Sequence, residues 1–226
     1  MNNPPYTIRN YQPKDFDKYV LLNIEAEKLK PTGRCTSPQA ITERLGRPNY
    51  ALEQDLFIVE MAENILGYID VTSELRIGRV VLDYWIHPEH QGKNLATQLL
   101  HCALLRATEL GVKVAHVNIP QDDIAVKTLL SRLGFSLIRR FLELGLDIAD
   151  IRWPDINKTA PECRCLQRGE GDKLTKIQNR AFIGSWGYNP NTVEEVIYRT
   201  NLSTCSPEDI VLIYEGDKVI GYCWLG

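Results

Sequence analysis

The sequence predicts an α/β protein built on a mixed sheet with helices on both of its faces. Two observations carry this. Stretches rich in β-formers, such as Leu56 to Met61 and the alternating Val80 to Ile86, are interleaved with stretches whose apolar residues recur at helical spacing. Read in order, the stretches run β-α-α-β-β-β-α-β-α-β, a pattern that places helices against a largely sequential sheet.

Each element has its own justification. Tyr6 to Tyr11 reads as a short strand, and Asp15 to Lys30 as a helix with Tyr19, Leu22 and Ala26 on one stripe. Ser37 caps a second helix with Pro38 at its first position, ending near Gly46. Leu56 to Met61 is a strand, and Asn64 sits in a tight connection to the next, Leu66 to Thr72. In Val80 to Ile86 the residues Val80, Leu82, Tyr84 and Ile86 share one face. Asn94 to Leu110 is the longest helix, with Leu95, Leu99, Cys102 and Leu110 inward and Gly111 closing it. Lys113 to Ile119 is a strand. Asp122 or Asp123 then caps a helix carrying Val126, Leu129, Leu130 and Leu133, stopped by Gly134. Phe135 to Ile148 is β-prone throughout and predicts one or two further strands. Ile151 to Pro161 has two prolines, charges and no period, and reads as a linker.

Composition narrows the function. The chain has 226 residues, enough for a substantial core, with 44% hydrophobic and 24% charged residues. A net charge of -3 gives no basic footprint for nucleic acid. No apolar run is long enough for a bilayer, and the start, Met1 to Tyr6, lacks the features of a signal peptide. A cytoplasmic location is therefore expected, with the six cysteines reduced. Cys163 and Cys165 read as two small apolar residues on one face of a strand rather than half a metal site, because no ligand cluster follows. No metal is expected.

An internal repeat is visible. Asp55-Leu56-Phe57-Ile58 with Gly67-Tyr68 is matched by Asp209-Ile210-Val211-Leu212 with Gly221-Tyr222, twelve residues separating Asp from Gly in both. Asp17, Asn23 and Ala26 are matched by Asp172, Gln178 and Ala181 at nearly the same offset, about 155 residues. Two blocks at one offset imply a first domain over residues 1–150, a linker over 151–161, and a partial second copy over 162–226. That copy lacks a counterpart of everything from Val80 onward. Its last strand then has an open edge flanked by Ile220 and Trp224, which predicts self-association, or a parent chain of about 300 residues.

The chemistry centres on the run from Leu82 to Leu100. A strand ends at His87-Pro88, a polar loop follows, and a long amphipathic helix begins. Such a loop presents free backbone N–H groups beside a helix N-terminus, a site for a pyrophosphate. Gly92 permits close approach, Asn94 tolerates a left-handed backbone, and Lys93 adds charge at the rim. The same loop also fits a plain β-α turn.

Ile86-His87-Pro88 followed by Gln91-Gly92-Lys93-Asn94-Leu95-Ala96 resembles the coenzyme-A motif of the GNAT acetyltransferase superfamily, Gln/Arg-x-x-Gly-x-Gly/Ala, with Asn94 in place of the middle glycine. The stretch Asp123 to Phe135, ending Leu133-Gly134-Phe135, resembles the family's next helix, and the resemblance places Asp123 among the cofactor-binding residues. The tandem layout, with Arg140 to Leu144, Trp186 to Thr192 and Gly221-Tyr222-Cys223, looks most like the two-domain members that include mycothiol synthase. The resemblance implies an acyl-CoA N-acyltransferase fold with acetyl-CoA as cosubstrate and a small-molecule primary amine as acceptor. It implies that the backbone of Tyr84, Trp85 and Ile86 pairs with the pantetheine arm. The amides of Gln91, Gly92, Lys93, Asn94, Leu95, Ala96 and Thr97 would hold the pyrophosphate, and an N–H near Ile86 would polarise the acyl carbonyl. The family's frequent catalytic tyrosine falls at Leu130 and its occasional glutamate near Asn118, so neither is present. Asp83 and Tyr84 remain as catalytic candidates. A strand carboxylate can act as base directly or through water, and Asp83 can equally be structural. His87 and His90 read as surface residues, and Trp186 and Tyr188 as packing aromatics that could also line an acceptor site. The enzyme reading stands beside that of a domain that binds acetyl-CoA without turnover.

Overall fold

The computed structural model describes residues 6–142, 144–147, 149 and 161–225. Residues 1–118 together with 163–226 form one compact unit, and residues 119–162 another. The expected linker lies, apart from Pro161, outside the described residues.

The first unit opens with β1 (Thr7–Asn10), α1 (Phe16–Leu29), α2 (Pro38–Leu45), a single helical turn α3 (Leu52–Asp55), β2 (Leu56–Met61), β3 (Asn64–Glu74), β4 (Arg79–Ile86), α4 (Leu95–Glu109) and β5 (Val114–Val117). The five strands lie in sequence order, antiparallel from β1 to β4, with β5 parallel to β4. Local chemistry sets the ends. The Ser37 hydroxyl accepts the Ala40 amide at 3.1 Å and Pro38 takes the first helical position. Asn94, at φ 61°, turns the chain into α4 through the left-handed region. The β2–β3 turn falls on Ala62 and Glu63, both at positive φ, and not on Asn64, which is already in the strand. Neither residue signals such a turn, so the sequence drew attention to its neighbour.

Alternation divides the sheet. Tyr68 and Trp85 join Tyr19, Leu22, Ile41 and Leu45 in the core beneath α1 and α2. Ile69, Val71, Val80 and Leu82 are buried on the other face, where α4 covers β2, β3 and β4 with Leu95, Leu99 and Ala103. A wholly buried Leu99 contributes roughly 1.5–3 kcal/mol to that packing. Gly67 is required in β3: a Cβ there would stand 2.7 Å from the Trp85 carbonyl oxygen.

The rest of the first unit is a three-stranded sheet, β6 (Glu162–Cys165), β7 (Ile210–Glu215) and β8 (Lys218–Trp224), in the order β6-β7-β8. Helices α6 (Gly171–Phe182) and α7 (Val193–Thr200) accompany it, and Leu174, Val196, Ile210 and Leu212 form its own core. Details recur between the two sheets. Arg9 pairs with Asp15, whose carboxylate accepts the Gln12 amide at 2.8 Å; Arg164 pairs with Glu170, whose carboxylate accepts the Gln167 amide at 3.0 Å. The Tyr11 amide donates to the Leu56 carbonyl and the Leu166 amide to the Ile210 carbonyl, each at 2.8 Å. The β2–β3 register breaks after Val59, opposite Gly67, and the β7–β8 register after Ile213, opposite Gly221.

In the second unit, Asp123 caps α5 (Ile124–Arg132) by accepting the Val126 amide at 3.2 Å, and Gly134 at φ 88° ends it. The strands expected over Phe135 to Ile148 are not formed: residues 135–142 and 144–147 carry no strand pairing. Leu137, Phe141, Leu142 and Leu144 are 71%, 72%, 87% and 89% exposed. A β-prone run becomes a strand only where a partner supplies its ladder, and none of the described strands does so here.

Candidate active site

β4 outruns its parallel neighbour. Its pairing with β5 stops at Leu82 opposite Val117, whereas its pairing with β3 continues to Ile86 opposite Gly67. Among the described residues, 83–86 therefore have a sheet partner on one side only. The His87 amide donates to the Leu66 carbonyl at 2.8 Å. By antiparallel alternation the backbone groups of Trp85 turn to β3 and those of Tyr84 and Ile86 turn to the open side. Of the three residues expected to offer backbone to a pantetheine arm, the two outer ones are oriented to do so. The Ile86 carbonyl accepts the Gln91 side-chain amide at 3.3 Å, which leaves the Ile86 N–H facing the gap.

The loop after β4 supplies donors. The Gln91 amide is spent on the Pro88 carbonyl at 3.2 Å. The amides of Gly92, Lys93, Asn94, Leu95, Ala96 and Thr97 find no acceptor among the described residues. They lie where the positive end of the α4 dipole meets the surface. Gly92, at φ 75°, gives the loop a curvature that L-residues resist. The Lys93 ammonium is held back from the loop mouth by the Tyr6 hydroxyl at 2.6 Å. Asp123 belongs to the other unit and spends its carboxylate on the α5 cap.

Asp83 is half-exposed on the α1–α2 face and is held by two groups. Arg34, from the loop between α1 and α2, places Nη1 2.6 Å from Oδ2, and the Tyr68 hydroxyl donates to the same oxygen at 3.2 Å. The carboxylate raises the pKa of Arg34 in return. Tyr84 lies on the opposite face, in register with Ile69, with its hydroxyl buried. The two catalytic candidates therefore address different sides of the sheet. Leu130 is buried and Asn118 exposed.

Sequence reasoning missed the groups around Asp83. Asp70 sits opposite it across β3–β4 and is buried, paired with Arg47 at 2.7 Å. Burial pushes its carboxyl up and the Arg47 charge pulls it partly back. Arg47 also stacks over Tyr50, 3.4 Å from the ring centroid. Arg47 and Tyr50, but neither Asp70 nor Asp83, border a pocket of about 430 Å³ whose walls also include Arg44, Asn189, Glu195 and Tyr198. Arg44 Nε, Tyr50 OH and Asn189 Oδ1 are buried there without a hydrogen-bond partner among the described residues. Part of that wall comes from the later part of the chain, which the stretch Trp186 to Thr192 anchors. Arg79 Nη2 donates to the Gly187 carbonyl at 2.8 Å, and Trp186 stacks on His116 at 5.7 Å between centroids. Only the pairing of distant segments creates the pocket, so no local spacing could announce it.

The family model for the acetyltransferase (GNAT) domain matches residues 6–136, and the chain belongs to that family. Among solved structures, a GCN5-related N-acetyltransferase from Sphaerobacter thermophilus superposes with a TM-score of 0.67 at 18% identity, covering 97% of this chain and 71% of that one. The aminoglycoside N-acetyltransferase AAC(6')-Iy in complex with CoA gives 0.50 at 17% identity, over 64% of this chain and 97% of that one. A GNAT-family acetyltransferase from Staphylococcus aureus gives 0.50 at 16% identity, over 68% and 95%. The five-stranded mixed sheet is that of the GNAT fold. Among the described residues no helix is long and apolar enough to cross a membrane.

Proposed function

We propose that this chain transfers an acetyl group from acetyl-CoA to a primary amine of a small molecule. The observation that carries the reading is the junction of β4 and α4: an unpartnered strand end at residues 83–86 leads into six unspent amides at 92–97. In this reading Tyr84 and Ile86 pair with the pantetheine arm, Trp85 backs them from β3, and Gln91 braces the loop. Gly92 to Thr97 hold the pyrophosphate, while Asp123 acts only by fixing the start of α5. The amine nitrogen attacks the acetyl carbonyl, whose oxygen is polarised by the Ile86 N–H. Asp83 takes the amine proton, directly or through water, the C–S bond breaks, and the thiolate of coenzyme A takes up that proton through solvent, which returns Asp83 to its carboxylate form and releases the thiol. An acceptor ammonium that reaches Asp83 replaces the Arg34 guanidinium, charge for charge. The 430 Å³ pocket suits an acceptor of small-molecule size.

Calorimetry with coenzyme A tests the cofactor half. Binding is expected to the chain and to be lost in Gly92→Glu, whose carboxylate would face the phosphates. No binding to the intact chain, or an unchanged affinity in the variant, removes the reading.

A second reading, a domain that holds acetyl-CoA without turnover, is favoured by the hold of Arg34 and Tyr68 on Asp83. Thiol release across a panel of amines separates the two.

For the organisation we keep a first domain over residues 1–150, a linker over 151–161 and a partial second copy over 162–226, of the tandem type that includes mycothiol synthase. Its support is the recurrence of the Arg–carboxylate turn and of the register break opposite Gly67 and Gly221. Acetyl-CoA would then bind only the first domain. The reading also includes self-association through the open edge of β8, no nucleic acid or membrane as partner, and a cytoplasmic setting, in keeping with six free cysteines.

A further inference from the structure

We propose that His87, Glu89 and His90, immediately before the amide-rich loop, form a binding site for a divalent transition metal of the zinc, cobalt or nickel kind. The three residues follow β4 on a single 3-10 turn, Pro88 to His90, whose proline restricts the backbone. Each offers one ligand atom, and the three atoms lie within 4.8 Å of one another. Around a tetrahedral zinc with bonds of about 2.0–2.1 Å, ligand atoms stand roughly 3.3–3.4 Å apart, a closure within reach of side-chain rotation.

The neighbouring groups orient both imidazoles. Nε2 of His87 lies 3.2 Å from the Glu25 carboxylate, and the Glu89 amide approaches its Nδ1 at 3.2 Å. The Glu89 N–H donates to Nδ1, which puts the ring proton on Nε2 facing Glu25; a metal ion takes the Nδ1 lone pair by displacing that amide, and the Glu25 contact then gives the carboxylate–histidine–metal arrangement that steadies metal-ligating histidines. On His90 the Tyr6 hydroxyl stands 3.1 Å from Nδ1 and already receives the Lys93 ammonium at 2.6 Å. Nδ1 of His90 can donate to that oxygen, and Nε2 is the nitrogen left to ligate. The two rings are 5.6 Å apart between centroids. Two imidazoles and one carboxylate favour zinc, cobalt or nickel over magnesium or calcium, and water completes the shell. Such an ion would tie Tyr6, the residue before β1, and α1, through Glu25, to the start of the loop at Gln91.

Cobalt(II) added to the full chain, followed by its visible d–d absorption, and zinc followed by calorimetry are the tests. One equivalent of each should bind. Affinity should fall at least tenfold in His87→Ala and in Glu89→Gln, and binding should vanish in the double variant His87→Ala/His90→Ala. Glu25→Gln should weaken binding about 10–100-fold without abolishing it. Replacing Cys163 and Cys165 by Ser should change nothing, and no thiolate-to-cobalt charge-transfer band should appear. Circular dichroism checks that each variant is folded. Absence of binding, persistence in the folded double-histidine variant, or loss on removing the cysteines overturns the proposal.

Discussion

Arg34 reaches from the α1–α2 loop to put its guanidinium 2.6 Å from the carboxylate of Asp83, in the strand segment that β5 leaves uncovered. The pair is about half exposed, with side chains at 52% and 45%, so water screens it and it adds little to folding. Its interest lies in what it occupies. Asp83 points to the α1–α2 face with its charge already matched, and an acceptor amine can take the place of Arg34.

Asp83→Asn is expected to lower turnover by about 10²–10⁴-fold, the usual range for a lost general base. Coenzyme A affinity should stay unchanged, because the cofactor reading uses backbone groups of the neighbouring residues. Steady-state kinetics across pH, with calorimetry beside them, check this. An unchanged pH–rate profile in Asp83→Asn removes Asp83 as the base.

Arg47 and Asp70 form the buried pair beside it, at 2.7 Å. Removing the cation strands a buried carboxylate, and Arg47→Ala should cost about 3–5 kcal/mol at neutral pH. Burial pushes the Asp70 carboxyl up and Arg47 is what opposes it. In the variant the folded state therefore binds the proton more tightly than the unfolded state. Stability should recover as the pH falls toward and through the raised folded value. Urea unfolding of Arg47→Ala at several pH values reads the slope, and a loss that deepens with acidity contradicts it.

Much of the first sheet was legible because its signals are local. Ser37 with Pro38, Gly46 and Gly111 bound their helices, and Asn94 occupies the left-handed position that its side chain tolerates. The β4–α4 junction was legible for the same reason: strand, proline, polar loop and helix adjoin in sequence. The Arg34–Asp83 and Arg47–Asp70 pairs were not, since each joins residues more than twenty positions apart. The opposite error arose over Phe135 to Ile148. Apolar β-formers announce a strand, but the ladder depends on a partner that composition does not reveal.

His116 supplies a pH dependence for the seating of the later segment. Its ring stacks on Trp186, and Arg79 stands 3.3 Å from its Nδ1. Burial and then the Arg79 charge hold its pKa below 6.5, while Glu74 pulls the other way. The folded value lies below the unfolded one, so the unfolded chain takes the proton first. Stability is full above about 6.5 and declines as the pH falls through that value to the lower folded one. The thermal midpoint of the wild type should therefore drop between pH 7 and the folded value more steeply than that of His116→Gln. Parallel curves for the two proteins would show that the stack carries no such linkage.

The open edge of β8 gives the last expectation. β8 pairs with β7 on one side, and among the described residues nothing pairs with the other. In the first sheet the corresponding flank of β3 is taken by β4. The Leu225 amide donates to the Asp209 carbonyl, so alternation turns the backbone of Trp224 and Tyr222 outward. Ile220, 44% exposed, sits on the same strand. An uncovered row of donors and acceptors beside apolar side chains recruits another strand, and a lysine on such an edge discourages it. Sedimentation velocity over a wide concentration range should show a self-associating chain, and Ile220→Lys should shift it toward monomer without lowering the unfolding midpoint. A single monomeric species at every concentration, or equal association in Ile220→Lys, would show that the edge of β8 does not recruit a second copy of this chain.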